Sequence, residues 1–207
     1  IVTVDEHPEF EAAYQRADLS LADGTPVVWA SRLFDTPLPE RVSGSDLIAP
    51  LLDRAGRKGW RVAFLGAGPG VAAKAADIAR TKWGTQVVST DAPMVDLNDG
   101  AQLDEIGARL AEARADLVLM AFGAPKQELL IARIAERVRP AVLLGIGASL
   151  DFIAGTVKRA PPLFRRMGLE WLYRLGQEPR RLWRRYLVND PKFALILLRT
   201  LREARRS

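Results

Sequence analysis

The sequence predicts an α/β fold, a Rossmann-like parallel sheet flanked by helices, with a basic helical appendage at its C-terminal end. Three observations predict it. Over residues 1–157 short aliphatic or β-branched runs alternate with longer amphipathic stretches, the pattern of βαβ units. A glycine-rich turn, Gly66-Ala67-Gly68-Pro69-Gly70, follows one such run and opens a helix. Past Pro161-Pro162 the character changes, and large aromatics share the chain with arginines at helical spacing.

The elements follow in order. Strands are expected at residues 1–4, 19–21, 61–65, 86–89, 117–121 and 142–145, each a short run rich in Val, Ile, Leu or Phe. Helices are expected at 8–16, 25–33, 45–57, 69–82, 101–113 and 125–138. Ser45 is the expected N-cap of the third of these and Gly59 its stop. Pro69 and Pro125 stand where a first helical turn tolerates proline. The chain opens inside an apparent strand at Ile1, which leads us to expect a trimmed N-terminus.

Composition excludes several classes. A chain of 207 residues, 48% hydrophobic and 27% charged, is neither disordered nor fibrous and can bury a core. It has no cysteine, so disulfides, thiol nucleophiles and cysteine-ligated metals are excluded, and His7 is its one histidine. Apolar runs such as 193–198 fall far short of the roughly 20 residues a membrane-spanning helix needs. The net charge of +5 is divided unevenly: residues 1–157 carry 16 basic against 21 acidic side chains, and residues 158–207 carry 14 against 4. The tail therefore suits a polyanionic partner, whether nucleic acid, anionic membrane or phosphate.

Two readings of that tail stand side by side. Trp171, Leu172, Leu175, Leu182, Trp183, Tyr186, Leu187, Phe193 and Ile196 form an apolar stripe among Arg165, Arg166, Arg174, Arg180, Arg181, Arg184 and Arg185. The stripe either packs on the core with a solvated arginine face, or forms an interfacial appendage that puts arginines on lipid phosphates.

Motifs follow several expected strands, and three such strand ends, at Asp23-Gly24, at residues 122–128 and at residues 145–151, converge on one crevice. Gly66 to Gly70 offers backbone N–H groups to a phosphate, but Val71 stands where a dinucleotide fingerprint has its third glycine or alanine. Asp91 after the next strand is then the candidate ribose partner, which keeps open an NAD(P)-dependent oxidoreductase. Phe122-Gly123-Ala124-Pro125-Lys126-Gln127-Glu128 sets Lys, Gln and Glu on the first turn of a helix, and Gly145-Ile146-Gly147-Ala148-Ser149-Leu150-Asp151 follows the next strand with two glycines that let a ligand approach the backbone. Asp23-Gly24, at the end of the expected strand 19–21, is expected to place a carboxylate at the carboxyl edge of the sheet. There is no Asp-x-Asp pair for a metal on a sugar-nucleotide diphosphate, no Gly-x-Ser-x-Gly elbow and no P-loop.

These motifs, in this order, resemble the WecG/TagA/CpsF family of bacterial glycosyltransferases (glycosyltransferase family 26). The resemblance runs through Ala17-Asp18-Leu19 to Asp23-Gly24, Leu38-Pro39-Glu40-Arg41-Val42-Ser43-Gly44-Ser45-Asp46-Leu47, Gly123-Ala124-Pro125-Lys126-Gln127-Glu128, Gly145-Ile146-Gly147-Ala148, Arg159-Ala160-Pro161 and Gly168-Leu169-Glu170-Trp171-Leu172. It covers nearly the whole chain. It implies an inverting, metal-independent transfer of a sugar from a UDP-sugar donor to a polyprenyl-diphosphate-linked sugar, peripheral on the cytoplasmic face of the bacterial membrane. No cofactor and no nucleic acid are expected, and copies of the chain are expected to be able to self-associate.

The resemblance also assigns roles. Asp23 matches the general base and Thr3 a threonine near the reacting groups. Arg41 matches a cation for phosphate or leaving-group charge, and Gln127 an amide in the donor pocket flanked by Lys126, Glu128, Gly66 and Gly147. Arg174, Arg181 and Arg184 match appendage arginines that hold diphosphate, a task suited to the planar guanidinium fork. Between Thr3 and Asp18 the chain is shorter than the family pattern, with Val4-Asp5-Glu6 in place of an Asn-bearing segment. A binder of nucleic acid or anionic surfaces would leave the three strand-end motifs without a purpose.

Overall fold

The computed structural model describes residues 2–35, 37–161, 163–164 and 167–204. Expectations on Ile1, Pro162, Arg165 and Arg166, and on the side chains of Arg181 and Arg185, lie outside the described residues. At the centre is a parallel sheet of β1 (Arg61–Gly66), β2 (Gln86–Asp91), β3 (Leu117–Ala121) and β4 (Val142–Gly145), in the order β2-β1-β3-β4. β3 is buried throughout and β1 everywhere but its first residue, as parallel strands covered on both faces require. Alternate side chains feed two cores. Val62 and Phe64 pack with α4 (Gly44–Lys58), α5 (Val71–Trp83) and α8 (Ser149–Ala154). Ala63 and Leu65 face the other way, onto α6 (Gly100–Glu112) and α7 (Lys126–Val138).

Small residues set how closely these layers approach. α5 buries Ala72, Ala75, Ala76 and Ala79. A Cβ on Gly56 of α4 would sit 1.9 Å from the Trp83 carbonyl oxygen at the end of α5, so only glycine permits that contact. The N-cap of α4 lies two residues earlier than expected. Ser43, not Ser45, is its N-cap: the hydroxyl accepts from the Asp46 N–H at 3.1 Å and donates to the Asp46 carboxylate at 2.7 Å, so the position of Asp46 selects Ser43.

Two expected strands are absent. Residues 2–6 form α1 (Val2–Glu6), a short helix packed on α2 (Pro8–Gln15) and on the last helix of the chain. Its β-branched residues lie against helices rather than beside an edge strand, and ion pairs of Asp5 and Glu6 anchor it to the last helix. Residues 19–21 are irregular and Leu19 is 75% exposed, so Asp23 does not stand at a strand end but in the segment ahead of the helix at Thr25–Ser31. α3 (Thr25–Ser31) follows. Beyond the sheet come α9 (Glu170–Gln177), α10 (Pro179–Arg184), a π-helical turn (Arg185–Asn189) and α11 (Lys192–Ala204). α11 returns to the start of the chain, where Lys192 pairs with Glu6 and Arg199 with Asp5.

Candidate active site

The strand order reverses between β1 and β3, and open α/β sheets bind ligands outside the carboxyl ends of strands at such a point. The backbone there is closely packed. Gly66 has φ 100°, and a Cβ on it would lie 2.9 Å from the Ala121 carbonyl, while the Ala67 N–H donates to that carbonyl oxygen at 2.8 Å. The glycine-rich turn therefore presses onto the end of β3 and delivers Gly70, in the left-handed region, to the start of α5. Val71 is buried in the place of the missing third glycine. Asp91, the candidate ribose partner, is paired with Arg109 at 2.8 Å.

Gln127 ties the other two loops together. Its side-chain oxygen accepts from the N–H groups of Gly123 and Gly147, each at 3.1 Å, and its Nε2 donates to Glu128 Oε1 at 2.8 Å. A Cβ on Gly145 would come within 2.7 Å of that Nε2. One buried amide thus fixes the ends of β3 and β4 relative to each other. Glu128 Oε2 is buried without a hydrogen-bond partner, and Lys126 Nζ lies 5.9 Å from the Phe122 ring centre.

Beside these loops stands a charged group. The Val42 N–H donates to the Ala22 carbonyl at 2.9 Å, which lays the Arg41 segment along the Asp23 segment just ahead of α3. Arg41 Nη1 lies 3.6 Å from Asp23 Oδ1 and donates to the Asp23 backbone oxygen at 3.4 Å. The Asp23 side chain is 72% exposed and is approached by the Arg41 guanidinium. Arg41 also reaches Asp46 at 2.9 Å and Glu170 at 3.7 Å. Arg159 binds Asp46 through Nη2, donates to the Ser45 hydroxyl at 3.1 Å and places Nε 4.0 Å from Glu170. Burial alone would raise the Asp46 carboxyl, but the Ser43 hydroxyl and the Arg159 and Arg41 guanidiniums outweigh it and hold the group below the usual carboxylate range. At Gly44, a Cβ would meet the Ile146 carbonyl at 3.4 Å, so this cap abuts the loop after β4.

The structure thus brings Asp23 and Arg41 together, and Gln127 with Glu128, Lys126 and Gly147. Arg174 on α9 lies 5.5 Å from the Phe152 ring centre, with its Nε buried and unpartnered, and Arg184 is exposed at the end of α10. Thr3 stands apart, on a helix whose packing partners are α2 and α11 rather than at a strand end. Sequence reasoning gave no role to Asp46, Arg159 or Glu170, although all three sit in the matched motifs; their contact is between segments more than a hundred residues apart. Among the described residues no group of three or more His, Asp or Glu side chains is placed to hold a metal ion.

Comparison with known proteins identifies the family. The pattern described as the glycosyl transferase WecG/TagA/CpsF family matches residues 1–207. The chain is 38% identical, over 199 residues covering 94% of its length and 73% of the relative's, to an N-acetylglucosaminyldiphosphoundecaprenol N-acetyl-beta-D-mannosaminyltransferase of Bacillus spizizenii. One family's pattern runs through the entire length of the chain, and a relative at 38% identity shares it: the chain is a glycosyltransferase of the WecG/TagA/CpsF family.

Proposed function

We propose that this enzyme transfers N-acetylmannosamine, or a closely related sugar, from a UDP-sugar to the N-acetylglucosamine of a polyprenyl-diphosphate-linked acceptor, with inversion. The single observation that carries the reading is Asp23, exposed and contacted by Arg41, in the charged group that abuts the loop after β4 through the cap at Gly44. The acceptor hydroxyl oxygen attacks the anomeric carbon from the face opposite the diphosphate. Its proton passes to the Asp23 carboxylate, and the bond to the diphosphate oxygen breaks with its electron pair leaving on uridine diphosphate. Arg174, Arg181, Arg184 and backbone amides of the strand-end loops take up the charge of the departing diphosphate in this reading, and a metal has no part in it. Gln127 then serves the donor pocket by holding its two walls in place, while Lys126 and Glu128 meet the donor.

The relative named above acts on a lipid-linked sugar, and the tail of this chain suits that setting. No helix among the described residues is long and apolar enough to cross a membrane. Trp171, Leu172, Trp183, Leu187 and Leu195 are nevertheless exposed beside exposed arginines. Such a surface lies on a bilayer, with apolar side chains at headgroup depth and guanidiniums on phosphates. We therefore read residues 158–207 as a membrane-associating appendage on a catalytic core of residues 1–157.

A thermal-shift panel of uridine diphosphate, its sugar conjugates and nicotinamide dinucleotides tests the reading, since a ligand of the folded state raises the melting temperature. A shift with uridine diphosphate and with its N-acetylmannosamine conjugate supports it. A shift with dinucleotide alone overturns it and moves the site to the Gly66 turn.

A further inference from the structure

Arg41, Asp46, Arg159 and Glu170 form a closed ring in which each guanidinium lies between two carboxylates. Its sides are Arg41 to Asp46 at 2.9 Å, Asp46 to Arg159, Arg159 to Glu170 at 4.0 Å, and Glu170 to Arg41 at 3.7 Å. The four formal charges cancel. Two members, Arg41 and Asp46, come from the segment ahead of the sheet, and two, Arg159 and Glu170, come from beyond residue 157. The ring is therefore a joint between core and appendage. Glu170 is its most enclosed member, with a side chain 16% exposed.

The ring has two outward connections. Arg41 uses its Nη2 for Asp46 and turns Nη1 toward Asp23, so the ring sets the direction from which the guanidinium meets that carboxylate. Glu170 opens α9, and Arg174 stands four residues on, on the same side of the helix. One rigid joint thus spaces the carboxylate at Asp23 from the guanidinium at Arg174. In an inverting displacement the base and the cation of the leaving group lie on opposite sides of one anomeric carbon, and their separation decides whether attack is in line.

We infer that Glu170 is a positioning residue: through Arg41 and through α9 it sets the distance between the base and the diphosphate-binding arginine, and it touches neither substrate. This rests on the glycosyl-transfer reading above. Loss of one ring member misplaces the reacting groups without removing any of them, and misplacement of about 1 Å costs on the order of 100-fold in rate.

The test is steady-state transfer from UDP-N-acetylmannosamine to a short-chain polyprenyl-diphosphate N-acetylglucosamine by the full chain, alongside melting curves and uridine diphosphate titrations. Glu170→Gln is expected to lower kcat by about 10-fold to 100-fold, with the melting transition still cooperative and uridine diphosphate still bound. Glu170→Asp, which keeps the charge, is expected to recover part of that loss. Because the ring acts as a unit, Asp46→Asn combined with Glu170→Gln is expected to be no slower than the slower single variant. Unchanged kcat in Glu170→Gln, or losses that multiply in the double variant, would overturn the inference. Failure of the underlying reading looks different: the wild-type chain would not turn over these substrates, or Asp23→Asn would turn them over at full rate. If Glu170→Gln does not fold, Glu170→Asp carries the test alone, and full wild-type kcat together with an unaltered melting temperature in it overturns the inference.

Discussion

The sheet region and the segment after residue 157 contain the same kinds of apolar residue and use them in opposite ways. Around the sheet, rows such as Ile48, Leu52 and Ala55 on α4 or Leu130 and Ile134 on α7 are buried to a few per cent or less. On α9 no residue is buried, and Trp171, Leu172, Trp183, Leu187, Leu195 and Leu198 are exposed. Amphipathic periodicity therefore reports that a helix has an apolar face, and says nothing about whether the chain itself covers it. Within the tail, where Leu182 alone of the stripe is buried among the described residues, the uncovered apolar side chains stand beside the excess of arginine, which supports the membrane-associating reading.

The sharpest way to break this contrast is to make one substitution in both places. Leu119→Ala in β3 is expected to cost about 2–5 kcal/mol in a denaturant titration, as for a buried leucine losing its packing, whereas Leu195→Ala on α11 stays within about 0.5 kcal/mol. Equal costs would mean that the tail has a core of its own. The next effect belongs to the loop clamp: Gln127→Leu strands the N–H groups of Gly123 and Gly147, each expected to cost about 1–3 kcal/mol, and lowers the melting temperature accordingly. A melting temperature equal to wild type would show that water replaces the amide without loss.

Smaller effects concern the tail and the ring. Changing Trp183 and Leu187 together to serine is expected to weaken sedimentation with anionic vesicles about tenfold or more, from the apolar area lost to the bilayer, while leaving the melting temperature unchanged. The same pair failing to alter vesicle binding would return these residues to an ordinary solvent-facing role. Asp46→Asn gives the smallest change. Its carboxyl is held lower in the folded chain than in the unfolded one, so the stability it contributes is fully present above the unfolded value of about 3.9 and is lost as pH falls through the folded value. The variant is therefore less stable than wild type at pH 7, with the gap closing below about pH 4. A gap that stays constant through acid would remove Asp46 from the pH dependence.

Much of the core is legible in the sequence for a simple reason. β1, β3 and β4 are runs of apolar residues ended by glycine or by a loop, and the helices between them have caps and stops of ordinary chemistry. The two expected strands that are absent, at 1–4 and 19–21, show the limit: β-branched or leucine-rich runs become strands only where a neighbouring edge accepts their backbone, and none does here. Ser45 in place of Ser43 is a local error of the same kind, since both serines precede an apolar row and only the position of Asp46 decides between them. At the site, Asp23 and Arg41 are recognisable because each stands in a matched motif and each has a chemical task. The partnership of Asp46 with Arg159 and Glu170 is not readable, because it is made between segments distant in the chain and leaves no local spacing. Gln127 is legible as a functional position, but its use as a clamp between two loops emerges only from the geometry.

The account turns on Asp23 as the base of a sugar transfer. The most direct measurement is the rate at which wild type and Asp23→Asn move N-acetylmannosamine from its UDP conjugate to a short-chain polyprenyl-diphosphate N-acetylglucosamine, with uridine diphosphate binding followed in parallel. Turnover by wild type, a loss of about 100-fold or more in the variant, and nearly equal nucleotide binding in both are expected if Asp23 is the base. Full turnover by Asp23→Asn would contradict it.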